Sequence, residues 1–392
     1  MGAYNGPTLA MARQLAELAP LPPAATGRLT ALDAFRGATI ALMVLVNDPG
    51  DGAHSYGPLQ HADWHGWTIT DMVFPSFVWI VGVAITLSLG SRMAAGASRR
   101  ELFTQVLRRA AIIYALGLFV YGFPHFDLAT QRALGVLQRI AICYLVAAVI
   151  YLTTTWRTQL AWIVGLLGGY WMLMTLMPVP GFGAGRLDVE GNFAHYIDRL
   201  VLGAHNYAET RTWDPEGIVS TLPSIATALL GVMAGHLLRW GRTLAERTTA
   251  MFFIGQMLLA AGLIADLWLP INKKLWTSSF TLFMAGIDFT LLAMFTCVVD
   301  LAGYRKAVRP LMIMGMNAIA IYMLSELIEI SLHAIHFMGA AGEISLRRWI
   351  YLNWFAPLGS PENTSLLYAI AYTLLMWVIA WGMYRKKWFI KI

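Results

Sequence analysis

Charge is scarce in this sequence. Asp, Glu, Lys and Arg make up 13% of its 392 residues, and hydrophobic residues make up 58%; a soluble chain has about 25% and about 45–50%. The shortage excludes an ordinary soluble globular protein and points to an all-α, polytopic membrane protein. Cysteine is nearly missing as well. The two present, Cys143 and Cys297, lie inside apolar runs, which argues against a disulfide framework. No uninterrupted apolar stretch opens the chain, and Pro22 and Pro23 break what is there, so residues 1–27 read as a cytoplasmic tail and not as a signal peptide. No long polar block suggests an appended soluble domain. No internal repeat is clear enough to indicate an inverted-repeat transporter. The formal net charge of +6 does not indicate a nucleic-acid partner, because Lys and Arg in membrane proteins gather in cytoplasmic loops.

What is abundant is long apolar runs. A spanning helix needs about 20 mostly apolar residues, and by that measure there are about ten: 32–48, 70–90, 108–124, 134–153, 159–178, 217–238, 249–269, 277–300, 311–334 and 364–384. Basic residues set an orientation. With the N-terminus inside, Arg13, Arg28, Arg92, Arg99, Arg100, Arg108, Arg109, Arg157, Arg239, Arg242, Arg247, Arg305, Lys306, Arg309 and the tail 385–392 all fall on the cytoplasmic side. The loop 49–67 contains no Lys or Arg, which places it outside with the longer loops 179–216 and 335–363. The positive-inside rule then predicts both termini in the cytoplasm.

Ionisable groups inside spanning helices cost about 2.5–3.5 kcal/mol each on insertion scales, so each needs a partner or a task. Asp33 and Arg36 are neighbours on one helical face, and an interfacial ion pair explains them as well as a ligand does. Asn47, about three turns further, continues a polar stripe along the first helix. Gln138 and Arg139 sit together in "LGVLQRIAICYL", where an embedded Arg must reach a carboxylate, a phosphate or water. Asn317, Ser325 and Glu326 mark "GMNAIAIYMLSEL". Asp288 and Glu329 read as structural pairs, and His236 as a helix-end cap.

The densest stretch is "LQHADWHGWTITDMVFPSFVWIVG", residues 59–82. His61, Asp63 and His65 have a spacing that a metal site could use, although no further ligand set accompanies it. His61 alone suits a general base, because imidazole titrates near physiological pH. Asp71 opens the next helix, as a cap for the helix dipole or as an orienter of His61. Trp64, Trp67 and Trp79 fit interfacial anchors, and the outer two also suit stacking on a sugar. Pro75 is tolerable in a spanning helix, with a kink as its expected effect.

In order, "LDAFRG", "VND", "HADWHGWTITDMVFPSFVWIVG", "LGVLQRIAICYL", "WDPEGIVSTLPSIATALLGVMAG", "PINKKLWTSSF" and "GMNAIAIYMLSE" resemble the heparan-α-glucosaminide N-acetyltransferase family, from about residue 28 to 384. The resemblance implies a transmembrane acyltransferase domain over 28–384 that moves an acetyl group from cytosolic acetyl-CoA to a glucosamine-type amine across a bacterial inner membrane. It implies His61 as the catalytic residue, as a general base or as an acetyl carrier, with Asn47 assisting near the thioester. Ser325–Glu326 departs from the His-Glu of animal members. For acetyl-CoA, the expected contacts are Arg36, Arg108, Gln138, Arg139, Asn317 and Ser325, with Arg groups at the cytoplasmic mouth pairing with the phosphates. No metal is expected, and a second copy of the chain is an allowed partner. Lys273 and Lys274 fall outside, able to bind an anionic glycan or to pair with the acidic loop 188–216. The competing function is an amino-sugar permease, which calls for helices broken at mid-membrane.

Overall fold

The computed structural model describes residues 29–339 and 342–390. The expected tail 1–27, with Arg13, and also Arg28 and the last two residues of the basic tail 385–392 lie outside the described residues. Among the described residues, nine helices are long and apolar enough to cross a membrane, ten if one bent pair counts as a single span. They are α1 (Thr30–Asn47), α2 (Val73–Ala94, entered through a 3-10 turn Ile69–Met72), α3 (Arg99–Gly122), α4 (Val136–Thr153), α5 (Trp156–Leu176), α7 (Thr221–Leu238), α8 (Leu244–Asp266), α9 (Ser278–Phe295, running on into a π turn Thr296–Leu301) and α13 (Pro361–Arg385). The bent pair is α10 (Arg309–Gly315) with α11 (Ala318–Ala334), which meet at 77°. A short α6 (Phe193–Val201) and α12 (Leu346–Ile350) lie in connections, and β1 (His336–Gly339) pairs antiparallel with β2 (Gly342–Ser345). The fold is therefore all-α apart from that strand pair.

The bend corrects the expectation of an unbroken helix over 311–334. Hydropathy stays high through it, but Asn317 takes a non-helical conformation at φ −124°, ψ 37°. Its amide Nδ2 donates to the Trp388 carbonyl (3.0 Å), and its Oδ1 accepts from the Ile390 N–H (3.0 Å). Residues 388–390 thus lie against the helix break. Pro75 produces no mid-span kink, because it falls in the first turn of α2, where backbone N–H groups need no partner.

Small residues let the central helices touch. A Cβ at Gly82 of α2 would lie 1.9 Å from the Ala228 carbonyl of α7, and one at Gly231 would lie 2.0 Å from the Trp79 carbonyl. The two backbones are therefore in contact, and dispersion and close fit hold them where lipid offers no hydrophobic gain. Trp79 is fully buried, edge-on to Phe289 at 5.2 Å and Phe35 at 6.3 Å. It is a core residue and not the interfacial anchor expected. Because spans alternate in direction, α1 begins and α13 ends on one face, and the loops 49–68, 123–135, 179–220, 267–277 and 335–360 gather on the other, here called the His61 face.

Candidate active site

Asp71 organises the His61 face. It is the third residue of the turn that leads into α2, with Thr68 as N-cap in a reciprocal capping box. One carboxylate oxygen, Oδ2, accepts from the Ala62 N–H (3.0 Å), the Thr68 N–H (3.0 Å) and the Thr68 hydroxyl (3.2 Å). The other, Oδ1, lies 2.7 Å from His61 Nδ1. Asp71 is fully buried, whereas the His61 side chain is 48% exposed. One side chain thus accepts from the backbone of its turn and meets the His61 ring. An acceptor at Nδ1 fixes the proton there and leaves the lone pair on Nε2.

The "PINKK" segment supplies the remainder of the setting. Gly66 N–H donates to the Ile271 carbonyl (2.7 Å) and Lys274 Nζ to the Asp63 carbonyl (2.7 Å), while Asn272 Nδ2 stands 3.4 Å from His65 Nδ1. Lys273 Nζ is 3.6 Å from Asp71 Oδ1. Burial pushes the Lys273 ammonium below the usual lysine range, while Asp71 and Glu216 pull it back up. His61, Asp63 and His65 are held by different partners, so their spacing in sequence does not make one cluster.

Behind the loop lies a charged cluster. Arg132 donates from Nε to Asp214 Oδ2 (2.7 Å) and from Nη2 to Asp214 Oδ1 (2.5 Å) and Glu216. Its guanidinium lies over the rings of Tyr121 (4.8 Å) and Tyr207 (4.4 Å). Burial lifts the Asp214 carboxyl above its ordinary range against the pull of Arg132, whereas Glu216 is held low because Arg132, Arg139 and Lys273 outweigh its burial. Trp64 roots the His61 loop, donating to the Leu187 carbonyl (2.9 Å) and packing near His195 and Trp213. Trp67, 41% exposed against Phe283, suits an anchor.

The other expected residues are scattered. Arg36 pairs with Asp33 (3.3 Å) near the start of α1, and Arg108 is exposed in the same half of α3; both lie toward the face opposite His61. Arg139 is a correction to the expected cytoplasmic mouth: it sits in the first turn of α4, on the His61 face. Its Nη2 donates to the Gly217 carbonyl (3.0 Å) and to Ser220, its guanidinium lies over Trp276 (5.1 Å), and it is 1% exposed. Arg139 Nε and Nη1 and both amide atoms of Gln138 are buried without a partner among the described residues. Asn47 is exposed at the end of α1 and hydrogen-bonds Glu326; no hydrogen bond joins it to His61 among the described residues. Ser325 is buried, its hydroxyl turned to the Tyr322 carbonyl (2.8 Å). Asn317 is occupied by the backbone of Trp388 and Ile390, as above. His236 does not cap its helix but reaches Gln159 Oε1 (2.8 Å).

A second polar group lies beside Asn47. Arg347 bonds the Pro49 carbonyl and pairs with Glu329, as expected of a structural ion pair. Burial, then the neighbouring Glu329 and Glu326, push the Asp48 carboxyl up to about 9 against Arg347. Asp48 is therefore neutral in the folded protein at pH 7 but ionised in the unfolded one. Stability contributed by the neutral form is complete below about pH 4 and is lost as pH rises through about 9. Asp48→Asn is expected to raise the melting temperature in detergent at pH 7, with a gain that grows toward pH 9 and vanishes near pH 4. A pH-independent effect would sink that assignment.

A helical membrane protein with nine or ten candidate spans among the described residues and an imidazole–carboxylate pair at one membrane face belongs to the class that can do acid–base chemistry at the edge of the bilayer. More particularly, residues 28–264 match the family model described as heparan-alpha-glucosaminide N-acetyltransferase, catalytic, and the chain belongs to that family. It is 30% identical to heparan-alpha-glucosaminide N-acetyltransferase of Homo sapiens over 432 aligned residues, covering 96% of this chain and 61% of the relative. It is 28% identical to the protein of that name in Mus musculus, covering 93% and 60%. The chain thus spans about 60% of the length of these curated relatives. Lys273 lies beyond the matched region. It was assigned no part in the chemistry from sequence, because its nearness to His61 spans 212 positions and only the fold reveals it.

Proposed function

We propose that this chain is a transmembrane acetyltransferase that passes the acetyl group of acetyl-CoA to the amino group of a glucosamine-type sugar. The observation that carries the reading is the 2.7 Å contact between His61 Nδ1 and buried Asp71, which leaves Nε2 of the half-exposed imidazole as the base. The sugar amine attacks the thioester carbonyl, the C–N bond forms, the C–S bond breaks to release CoA, and the amine proton passes to Nε2. Asn47 would lie near the thioester. Arg36 and Arg108 would take the CoA phosphates at the opposite face. The idle donors of Gln138 and Arg139 would serve the acyl end, with Ser325 and Asn317 along the path. The basic residues favour a cytoplasmic Arg36 face and a periplasmic His61 face, hence cytoplasmic termini, a site in a bacterial inner membrane and one catalytic unit over 28–384.

Proteoliposomes with labelled acetyl-CoA on the Arg36 face and glucosamine on the His61 face are expected to accumulate N-acetylglucosamine. Failure with every amino sugar tried would remove the proposal. The 77° break at Met316–Asn317 favours a permease as the second reading, and counterflow of unmodified sugar without acetyl-CoA would select it.

A further inference from the structure

The His61–Asp71 pair has a third member. Lys273 Nζ lies 3.1 Å from His61 Nδ1 and 3.4 Å from Nε2, and 3.6 Å from Asp71 Oδ1. Nδ1–H is already given to Asp71, so the ammonium has no lone pair there to donate to. Its near-equal distances from the two nitrogens place it beside the ring as a charge. It approaches from the protein side: its side chain is 18% exposed, against 48% for His61.

The segment carrying it is rigid by construction. Asn272 N–H donates to Thr277 Oγ1 (3.1 Å) and Leu275 N–H to Asn272 Oδ1 (2.9 Å). The Gly66–Ile271 and Lys274–Asp63 bonds tie it to the His61 loop. Other charged groups around the ring are few. Asp63 and His65 lie on its own loop, Lys274 is spent on the Asp63 carbonyl, Glu216 acts on Lys273, and Asp266 acts on His65. A carboxylate at 2.7 Å favours imidazolium, and an ammonium at 3.1 Å opposes it at nearly the same range.

We propose that Lys273 is a positioning residue for His61: its ammonium offsets the Asp71 carboxylate, so that the imidazole stays the free base and gives up the proton it collects. Asp71 then orients the ring without trapping it in the charged form. This rests on the general-base reading above, and the experiment separates the two.

Diethyl pyrocarbonate attacks neutral imidazole, and His61 is exposed enough to react. The extent of His61 modification, followed by mass spectrometry against pH in nanodiscs, needs neither acetyl-CoA nor an acceptor. Lys273→Met is expected to move the half-reactive pH upward by about one unit, while Lys273→Arg leaves it within a few tenths. The acid limb of the acetyl-transfer rate should move with it. If Lys273→Met does not fold, Lys273→Gln carries the same expectation. A profile unmoved in a folded Met or Gln variant overturns the proposal, even if its activity falls. Absence of acetyl transfer in the wild-type protein would instead remove the functional reading and leave the modification profile to decide on Lys273.

Discussion

Alanine at position 61 is expected to lower single-turnover acetyl transfer by about 10²–10⁴-fold, the usual contribution of a general base. Melting in detergent should barely change, since the His61 side chain is half-exposed and bonded to one side chain that other donors also hold. Asp71→Asn is expected to cost a similar factor by a different route. The amide oxygen can still accept from Ala62 and Thr68, which preserves the turn into α2. The amide NH2, however, would face His61 Nδ1 as a donor, forcing the proton onto Nε2 and removing the lone pair there. The double variant should then be no slower than either single one, because each removes the same base. Additive losses would mean that His61 and Asp71 act separately, and activity retained in His61→Ala would withdraw its role.

Arg132→Ala is expected to be the most damaging single change to stability, by about 3–5 kcal/mol, since it leaves two buried carboxylates without their cation. Arg132 is buried, as are Asp214 and Glu216, and the guanidinium also lies over the rings of Tyr121 and Tyr207. The loss should appear as a large fall in melting temperature in detergent. The triple variant Arg132→Met, Asp214→Asn, Glu216→Gln should recover much of it, because the desolvated charges go together. A triple variant as unstable as Arg132→Ala would show that packing on the tyrosines, and not charge, is what Arg132 contributes.

The spans were legible because each is an apolar run close to the length the bilayer demands, and helix number depends on little else. Their ends were less legible. Arg99 to Leu107 belong to α3, yet their charges hid the first turns from hydropathy. The bend at Asn317 left no hydropathic trace, since it depends on the backbone of residues 388–390. Within the site, His61 and Asp71 stood out as titratable groups at the mouth of an apolar run, and a ten-residue loop sufficed to join them. Arg139 was misplaced because a charge in a helix shows its depth only once the direction of that helix is followed through. Lys273 is the extreme case: two lysines in the loop between α8 and α9 look ordinary until those helices bring them to the first loop.

The bond from Gly66 to Ile271 has a practical meaning for dividing this chain. The family match ends at residue 264, and a fragment cut there would keep His61, Asp71 and the turn between them. It would lose the Ile271 carbonyl that fastens Gly66, the lysine beside the imidazole, and α9, whose Asp288 receives the Ser76 hydroxyl of α2 at 2.5 Å. Residue 264 is where the match to the family model stops, not where the molecule can be parted. The half that carries the imidazole is finished by the half that does not.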